Sequence, residues 1–226
     1  MAAFARNDNV AEVKQPGRAF SRVVVRPMKT IDIGQVVNIH VSGFPLSRST
    51  LLGQSFLCKM YEWYVHCQPQ LSFVAVLDEE IVGFVAGTYG WGGGRRRFRF
   101  TFWQIFQGFL SRPSLLFSAE MFENGANFLR GLFSRKHEGV AAPGGQPGRK
   151  AALDSIAVHP AARGVHAGAL LMAAFEQAAW SQGADYASLG VESDNHHARR
   201  MYERCGWALV HEDRTKNIAS YRKFVR

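Results

Sequence analysis

The chain has 226 residues, long enough for one sizeable domain or one domain carrying a large insertion, and its 47% hydrophobic and 20% charged residues form an ordinary globular profile. Its three cysteines, Cys58, Cys67 and Cys205, are odd in number and outside any CxxC pattern, which argues against a disulfide framework or structural zinc and makes a cytoplasmic setting the expectation. Of the net charge of +9, residues 91–150 carry +7, from ten Arg or Lys against three Glu, so the nucleic-acid or membrane partners that basicity suggests are a question about that segment.

Residues 1–20 are polar and mixed, a tail expected to fray, with no apolar core of a signal peptide or anchor. No run of about 18 apolar residues occurs anywhere, which argues against a membrane span. SRVVVRPM (21–28) reads as a β-branched strand ended by proline. TIDIGQVVNIHVSGF begins with a candidate Thr30 N-cap, and Ile31, Val36, Val37 and Ile39 are expected on one buried helix face. LLGQSFLCKMYEWYVHC (51–67) is a second helix candidate. LSFVAVLD and IVGFVAGTYG flank Asp78-Glu79-Glu80 as a tight antiparallel hairpin.

Beyond the basic segment, AALDSIAV (151–158) is a strand that runs through a glycine turn into a helix over 167–182. DYASLGVE (185–192) is the next strand, NHHARRMYERCG (195–206) a helix closed by Gly206, and WALVHEDR with ASYRKFVR a terminal hairpin. Strand, two helices, three strands, helix, strand, helix and two strands describe an α/β (α+β) mixed sheet. One domain over 21–226 is expected, interrupted at about 91–150 by an insertion with nine of the seventeen phenylalanines and two helices split by Pro113. GVAAPGGQPGR (139–149) reads as a flexible loop by composition.

The turn in ARGVHAGALLMAAF (162–175) aims backbone N–H groups and the positive end of a helix at one point, an anion site. Gly164 and Gly168 would let a ligand approach the backbone, and Arg163 adds a fixed charge suited to phosphate. An ordinary β-to-α loop reads equally well from this stretch alone. In the last helix, Asn195, Ala198 and Tyr202 share a face at i, i+3 and i+7. That face is too polar to be simple core, and the phenol is a candidate general acid. His196 and His197 lack further ligands at metal spacing, and His40, His66, His159 and His211 form no constellation.

Together, SIAVHPAARGVHAG and LGVESDNHHARRMYERCGW resemble the GNAT superfamily of acyl-CoA-dependent N-acyltransferases, closely over 151–208 and loosely over 21–90. The resemblance implies a central twisted, mostly antiparallel sheet with a β-splay and flanking helices. It implies transfer from acetyl-CoA as co-substrate to a primary amine by direct attack in a ternary complex, with no metal. Ile156, Ala157 and Val158 would bind the pantetheine arm through their backbone. The N–H groups of Arg163, Gly164, Val165, His166, Ala167 and Gly168 would hold the pyrophosphate, Asn195, Ala198 and Tyr202 would lie near the thioester, and Tyr202 would protonate the thiolate.

Two departures from that pattern matter. His166 occupies the central glycine position of the phosphate motif; its Cβ either points away from the pyrophosphate, crowds it, or brings the imidazole onto it, and the first reading is favoured because Arg163, Gly164 and Gly168 remain. Gly190 and Ala152 stand where relatives carry a glutamate base. Alternation along a strand puts Asp154 on the face of 152 and Glu192 on that of 190, so these two are the candidate bases.

The insertion reads as a hairpin packed over the core, a lid whose arginines meet an anionic acceptor such as an amino sugar nucleotide, or an amphipathic element at an anionic membrane surface. Nucleic acid is not expected, and a homodimer stays open. A degenerate GNAT domain that binds CoA or a partner without turnover is the rival from another class.

Overall fold

The computed structural model describes residues 10–13, 21–89, 148–162 and 164–225. The expected insertion at 91–150 therefore lies outside the described residues except for its last three, 148–150, and Arg163 lies outside them too. Among the described residues the strands are β1 (Val10–Val13), β2 (Ser21–Pro27), β3 (Ser72–Leu77), β4 (Glu80–Tyr89), β5 (Lys150–Val158), β6 (Tyr186–Glu192), β7 (Ala208–Asp213) and β8 (Ile218–Phe224). The helices are α1 (Ile33–Gly43), α2 (Arg48–Leu51), α3 (Gln54–Cys67), α4 (Ala167–Ser181) and α5 (His196–Arg204).

All eight strands join one sheet in the order β1-β2-β3-β4-β5-β6-β8-β7. Every neighbouring pair is antiparallel except β5 with β6, the mostly antiparallel mixed sheet expected from the sequence. The edge strand β1 falls inside the stretch expected to fray. Four residues pairing with Val24–Ser21 carry too little apolar alternation to be read as a strand from sequence.

The two faces of the sheet are covered by different helices. On one, α4 buries Leu171, Met172, Phe175 and Ala179 against Val85, Ala151 and Leu153. On the other, α1 and α3 bury Val36, Val37, Ile39, Leu57 and Tyr61 against Val74, Phe84 and Ala157. Ile31, expected on the buried face, is exposed, and Ile33 takes the inward position. The cause lies at the helix start: a 3-10 turn over Thr30–Asp32 precedes α1, so the helical register begins later than a Thr30 cap implies. Asp32 does the capping work instead, accepting from the Lys29 N–H at 2.8 Å while buried and paired with both terminal nitrogens of Arg26 at 2.6 and 2.9 Å.

The Asp78-Glu79 turn between β3 and β4 has φ of +50° and +69°, the pair of left-handed residues that a two-residue hairpin of matching twist requires. It holds β4 beside the strand on which the site is built.

Candidate active site

The parallel ladder between β5 and β6 is short. Lys150 faces Tyr186, Ala151 faces Ala187 and Ala152 faces Ser188, and there the pairing stops. Beyond it, β5 stays with β4 as far as Val158 opposite Gly83, while β6 stays with β8 as far as Glu192 opposite Ile218. The two strands thus diverge, and a wedge opens between Leu153–Val158 and Leu189–Glu192. Backbone donors and acceptors line both walls.

A bulge accompanies the divergence. Gly87 opposes Leu153 and Ala86 opposes Ser155, so Asp154 is an extra residue in β5. An inserted residue bends its strand, raises the local twist and shifts the alternation of side chains. Before the bulge, Ala151 and Leu153 pack under α4; after it, Ile156 and Val158 do so, while Ala157 faces α1 and α3. The alternation that relates Asp154 to position 152 therefore ends at Asp154 itself, because strand parity is lost across the extra residue. The side chains of Ile156, Ala157 and Val158 belong to the two cores, which leaves their backbone edge for the wedge.

From β5 the chain passes through a 3-10 turn, Pro160–Ala162, into α4. Buried Val165 and Ala167 anchor the turn, and exposed Gly164 and His166 stand outward. Gly164 has φ +90° and His166 φ +58°, ψ +12°, a left-handed N-cap that makes no side-chain capping bond. The N–H groups of the first turn of α4 are thereby turned toward the outside, an arrangement suited to an anion. Glycine adopts the left-handed conformation freely and histidine at a cost of about 1 kcal/mol, so His166 keeps the backbone shape of the glycine motif. Its side chain is exposed.

Gly168 has a different use from the one expected. A Cβ there would stand 2.8 Å from the Met201 Sδ, so its missing side chain lets α5 pack onto the start of α4. This joins the two sequence motifs physically.

On α5, Asn195 is an exposed N-cap whose Oδ1 accepts from the Ala198 N–H at 3.1 Å. Ala198 is half-buried, and Tyr202 is buried with its ring tilted against Tyr221 at 5.9 Å between centroids. The three residues expected on one face thus run from solvent to core. Burial pushes the Tyr202 phenol well above the ordinary tyrosine range, and its neighbours Cys205 and Tyr221 push the same way. Tyr221 donates to Glu203 at 2.7 Å and accepts from Arg199 Nε at 3.1 Å, and Arg199 also reaches Glu212 at 2.8 Å. These bonds fix α5 on β7 and β8, and with it the rotation of Tyr202. Gly206 closes the helix with φ +81°.

The two candidate carboxylates stand on opposite walls of the wedge. Asp154 is half-buried at the bulge, and Glu192 is exposed at the last position of β6.

One cluster escaped the sequence reading, which found no constellation around His40. His40 is buried, its Nδ1 2.7 Å from the Tyr61 hydroxyl and its Nε2 3.1 Å from the Ser49 hydroxyl. Burial pushes His40 down to about 4. The available signal was that His40 continues the Val36–Val37 stripe at helical spacing; Tyr61 lies 21 residues away on another helix, beyond any local pattern.

The sequence matches the model of the acetyltransferase (GNAT) family over residues 35–207. A search of curated proteins finds no significant match. Similar solved structures include a Drosophila melanogaster polyamine N-acetyltransferase (TM-score 0.55, 16% identity, 90% of this chain and 100% of that one). Others are Ard1 from Thermoplasma volcanium (TM-score 0.54, 16% identity, 90% and 98%) and Arabidopsis thaliana Naa50 in complex with the bisubstrate analogue CoA-Ac-MVNAL (TM-score 0.54, 11% identity, 90% and 99%). At these identities the likeness concerns the fold.

Proposed function

The chain belongs to the acetyltransferase (GNAT) family, and from that premise we propose that it is an N-acetyltransferase moving an acetyl group from acetyl-CoA to a primary amine by direct attack in a ternary complex. The observation that carries this reading is the wedge between β5 and β6, where the ladder stops after three pairs. An extended pantetheine arm can take the place of the missing strand beside Ile156–Val158, as a peptide adds to a sheet edge. The outward N–H groups from Gly164 to Gly168 suit a pyrophosphate, with Arg163 as the fixed countercharge.

In the reaction an N–C bond forms as the C–S bond breaks. Asp154, at the bulge, takes a proton from the attacking nitrogen, and Tyr202 supplies one to the departing sulfur. Glu192, on the far wall and exposed, meets the acceptor. Backbone N–H groups at the wedge would stabilise the oxyanion. A phenol held protonated by burial is suited to the donor role and not to that of base.

The acceptor we favour is an anionic small molecule such as an amino sugar nucleotide. Its support is the ten Arg or Lys against three Glu in residues 91–150, since guanidinium groups pair with diphosphate through two parallel bonds.

Calorimetry with acetyl-CoA, followed by a free-thiol assay over amino sugar nucleotides, polyamines and peptides, tests the reading. Micromolar binding with turnover of an amine is expected, with preference for an anionic one. Absence of acetyl-CoA binding would overturn it, and binding without turnover of any amine would reassign the chain to a CoA-binding module.

A further inference from the structure

The stop that Gly206 gives α5 is also an attachment point. The Gly206 N–H donates to the Glu203 carbonyl at 2.9 Å and the Trp207 N–H to the Tyr202 carbonyl at 3.0 Å, the paired bonds of a Schellman end whose outer members are Tyr202 and Trp207. The backbone of the candidate acid is therefore bonded directly to Trp207. The Trp207 side chain is buried, so its indole N–H needs an acceptor inside the protein. It donates to Glu176 Oε1 at 2.6 Å, on α4, the helix whose first turn is suited to pyrophosphate.

The second carboxylate oxygen of Glu176 accepts from Lys223 Nζ at 2.6 Å, and the same ammonium donates to the Cys205 carbonyl at 2.7 Å. Cys205 is the C-cap of α5, so its carbonyl lies at the negative end of the helix, where no helical N–H reaches it and a cation is favoured. A Cβ on Gly206 would stand 3.8 Å from Lys223 Cε and Nζ, which shows the lysine lying across the helix stop. One carboxylate on α4 thus holds the end of α5 twice, through the Trp207 indole and through Lys223 of β8.

Gly168 against Met201 is the other point at which the two helices are joined. It lies at the start of α4, and Glu176 lies about two and a half turns further along. A single point would leave the helices free to pivot about it, whereas two fix the angle between them. The Glu176 and Lys223 side chains are only 12% and 22% exposed. A pair so enclosed adds little stability over an apolar pair of the same volume, because desolvation offsets the attraction. Its hydrogen bonds supply geometry instead, since donors and acceptors meet along fixed directions.

We propose that Glu176 and Lys223 are positioning residues for Tyr202: by holding Trp207 and Cys205 at the end of α5, they set where the Tyr202 hydroxyl stands relative to the first turn of α4. The proposal rests on the acetyltransferase reading for the reaction in which Tyr202 acts. In that reaction the pyrophosphate sits at the start of α4, and the sulfur that Tyr202 protonates is the far end of the same molecule. The offset between α4 and the phenol must therefore match the reach of the cofactor's arm. A misplacement of about 1 Å costs proton transfer far more than it costs cofactor binding. Glu176 and Lys223 act through Trp207, Cys205 and the backbone of α5, not on the substrate.

The test uses the full chain, with any amine it turns over. Lys223→Met fills the space without the charge, and Glu176→Gln can still accept from the indole but turns an amide N–H₂ on the ammonium. Both are expected to lower kcat about tenfold while KM for acetyl-CoA stays within about twofold. Lys223→Arg, which can make both bonds, should recover most of the kcat lost in Lys223→Met. On a Tyr202→Phe background Lys223→Met should lower kcat by less than about twofold, because the group it positions is gone. The full loss on that background, a rise in KM with kcat intact, or no recovery with arginine would overturn the proposal in favour of a packing role. In ¹³Cζ-tyrosine-labelled protein the Tyr202 signal, identified by its loss in Tyr202→Phe, should move in Lys223→Met and return in Lys223→Arg. A signal that stays in place overturns the positioning role. This readout needs no acceptor, so failure of the positioning role and failure of the acetyltransferase reading are told apart.

Discussion

Gly87 and Ala152 approach so closely beside the bulge that a Cβ on Gly87 would stand 2.5 Å from the Ala152 carbonyl oxygen, and it would also strike the Phe175 ring. A backbone oxygen in a ladder cannot rotate away as a side chain can. Gly87→Ala must therefore push β5 from β4 and α4 from the sheet, at about 3 kcal/mol by the usual cost of overpacking. Urea unfolding should show that loss together with weakened acetyl-CoA binding, because the displaced strand is one wall of the wedge. Gly34→Ala, where an added Cβ meets nothing within 4 Å, is the control and should leave both unchanged or slightly improved.

His166 is expected to tolerate glycine and to reject valine. With φ +58° the residue already has the backbone that glycine would adopt, and its imidazole is exposed. Relief of the left-handed strain and the extra freedom of glycine in the unfolded chain nearly cancel, so His166→Gly should change stability by less than about 1 kcal/mol. Acetyl-CoA affinity by calorimetry should stay within about threefold. A β-branched residue resists that conformation, so His166→Val should lose at least about 1 kcal/mol and bind the cofactor more weakly. Tight binding by the valine variant would show that the turn is not the phosphate site.

Tyr202→Phe removes the proton donor and keeps the ring that packs on Tyr221. The expected result is a kcat reduced about a hundredfold with acetyl-CoA binding preserved. Because burial holds the phenol protonated far above its ordinary range, the native rate should show no alkaline fall assignable to Tyr202 below about pH 10. Unchanged turnover in the phenylalanine variant would remove Tyr202 from the chemistry.

His40 predicts a pH dependence of stability. Its ring titrates at 6.5 in the open chain and at about 4 when buried beside Phe44, Tyr61 and Phe84. The unfolded chain thus binds the proton first, so this contribution is complete above about pH 6.5 and is lost as the pH falls toward 4. At 1.36 kcal/mol per unit the loss is about 3 kcal/mol. Asp32, held below its ordinary value chiefly by its hydrogen bonds to Arg26, has the same sign at lower pH, its contribution being lost only below about 3.8. Chemical unfolding followed between pH 7 and 4 should steepen accordingly. His40→Gln should flatten the curve over that interval while lowering stability at pH 7.

Much of this was legible in the chain. The Asp78-Glu79 hairpin, the Gly206 helix stop and the glycine turn before α4 are local events, decided within a few residues by φ preferences. Short-range rules suffice for them. Edge strand β1, the 3-10 start of α1 and the use of Gly168 were not legible, because each depends on a partner: β2, the Arg26–Asp32 pair, and Met201.

By itself, then, the sequence determined the order of the elements, the mixed sheet and the two motifs that the family model matches, since periodicity and turn chemistry act over one element at a time. The tertiary structure decided what those elements enclose. An extra residue in β5 breaks strand parity at Asp154 and accompanies the divergence of β5 from β6. His40 and Tyr61 meet because α1 and α3 pack on the same face of the sheet. Contacts of that kind come from burying apolar faces against one another, a cooperative term that no short window of sequence contains.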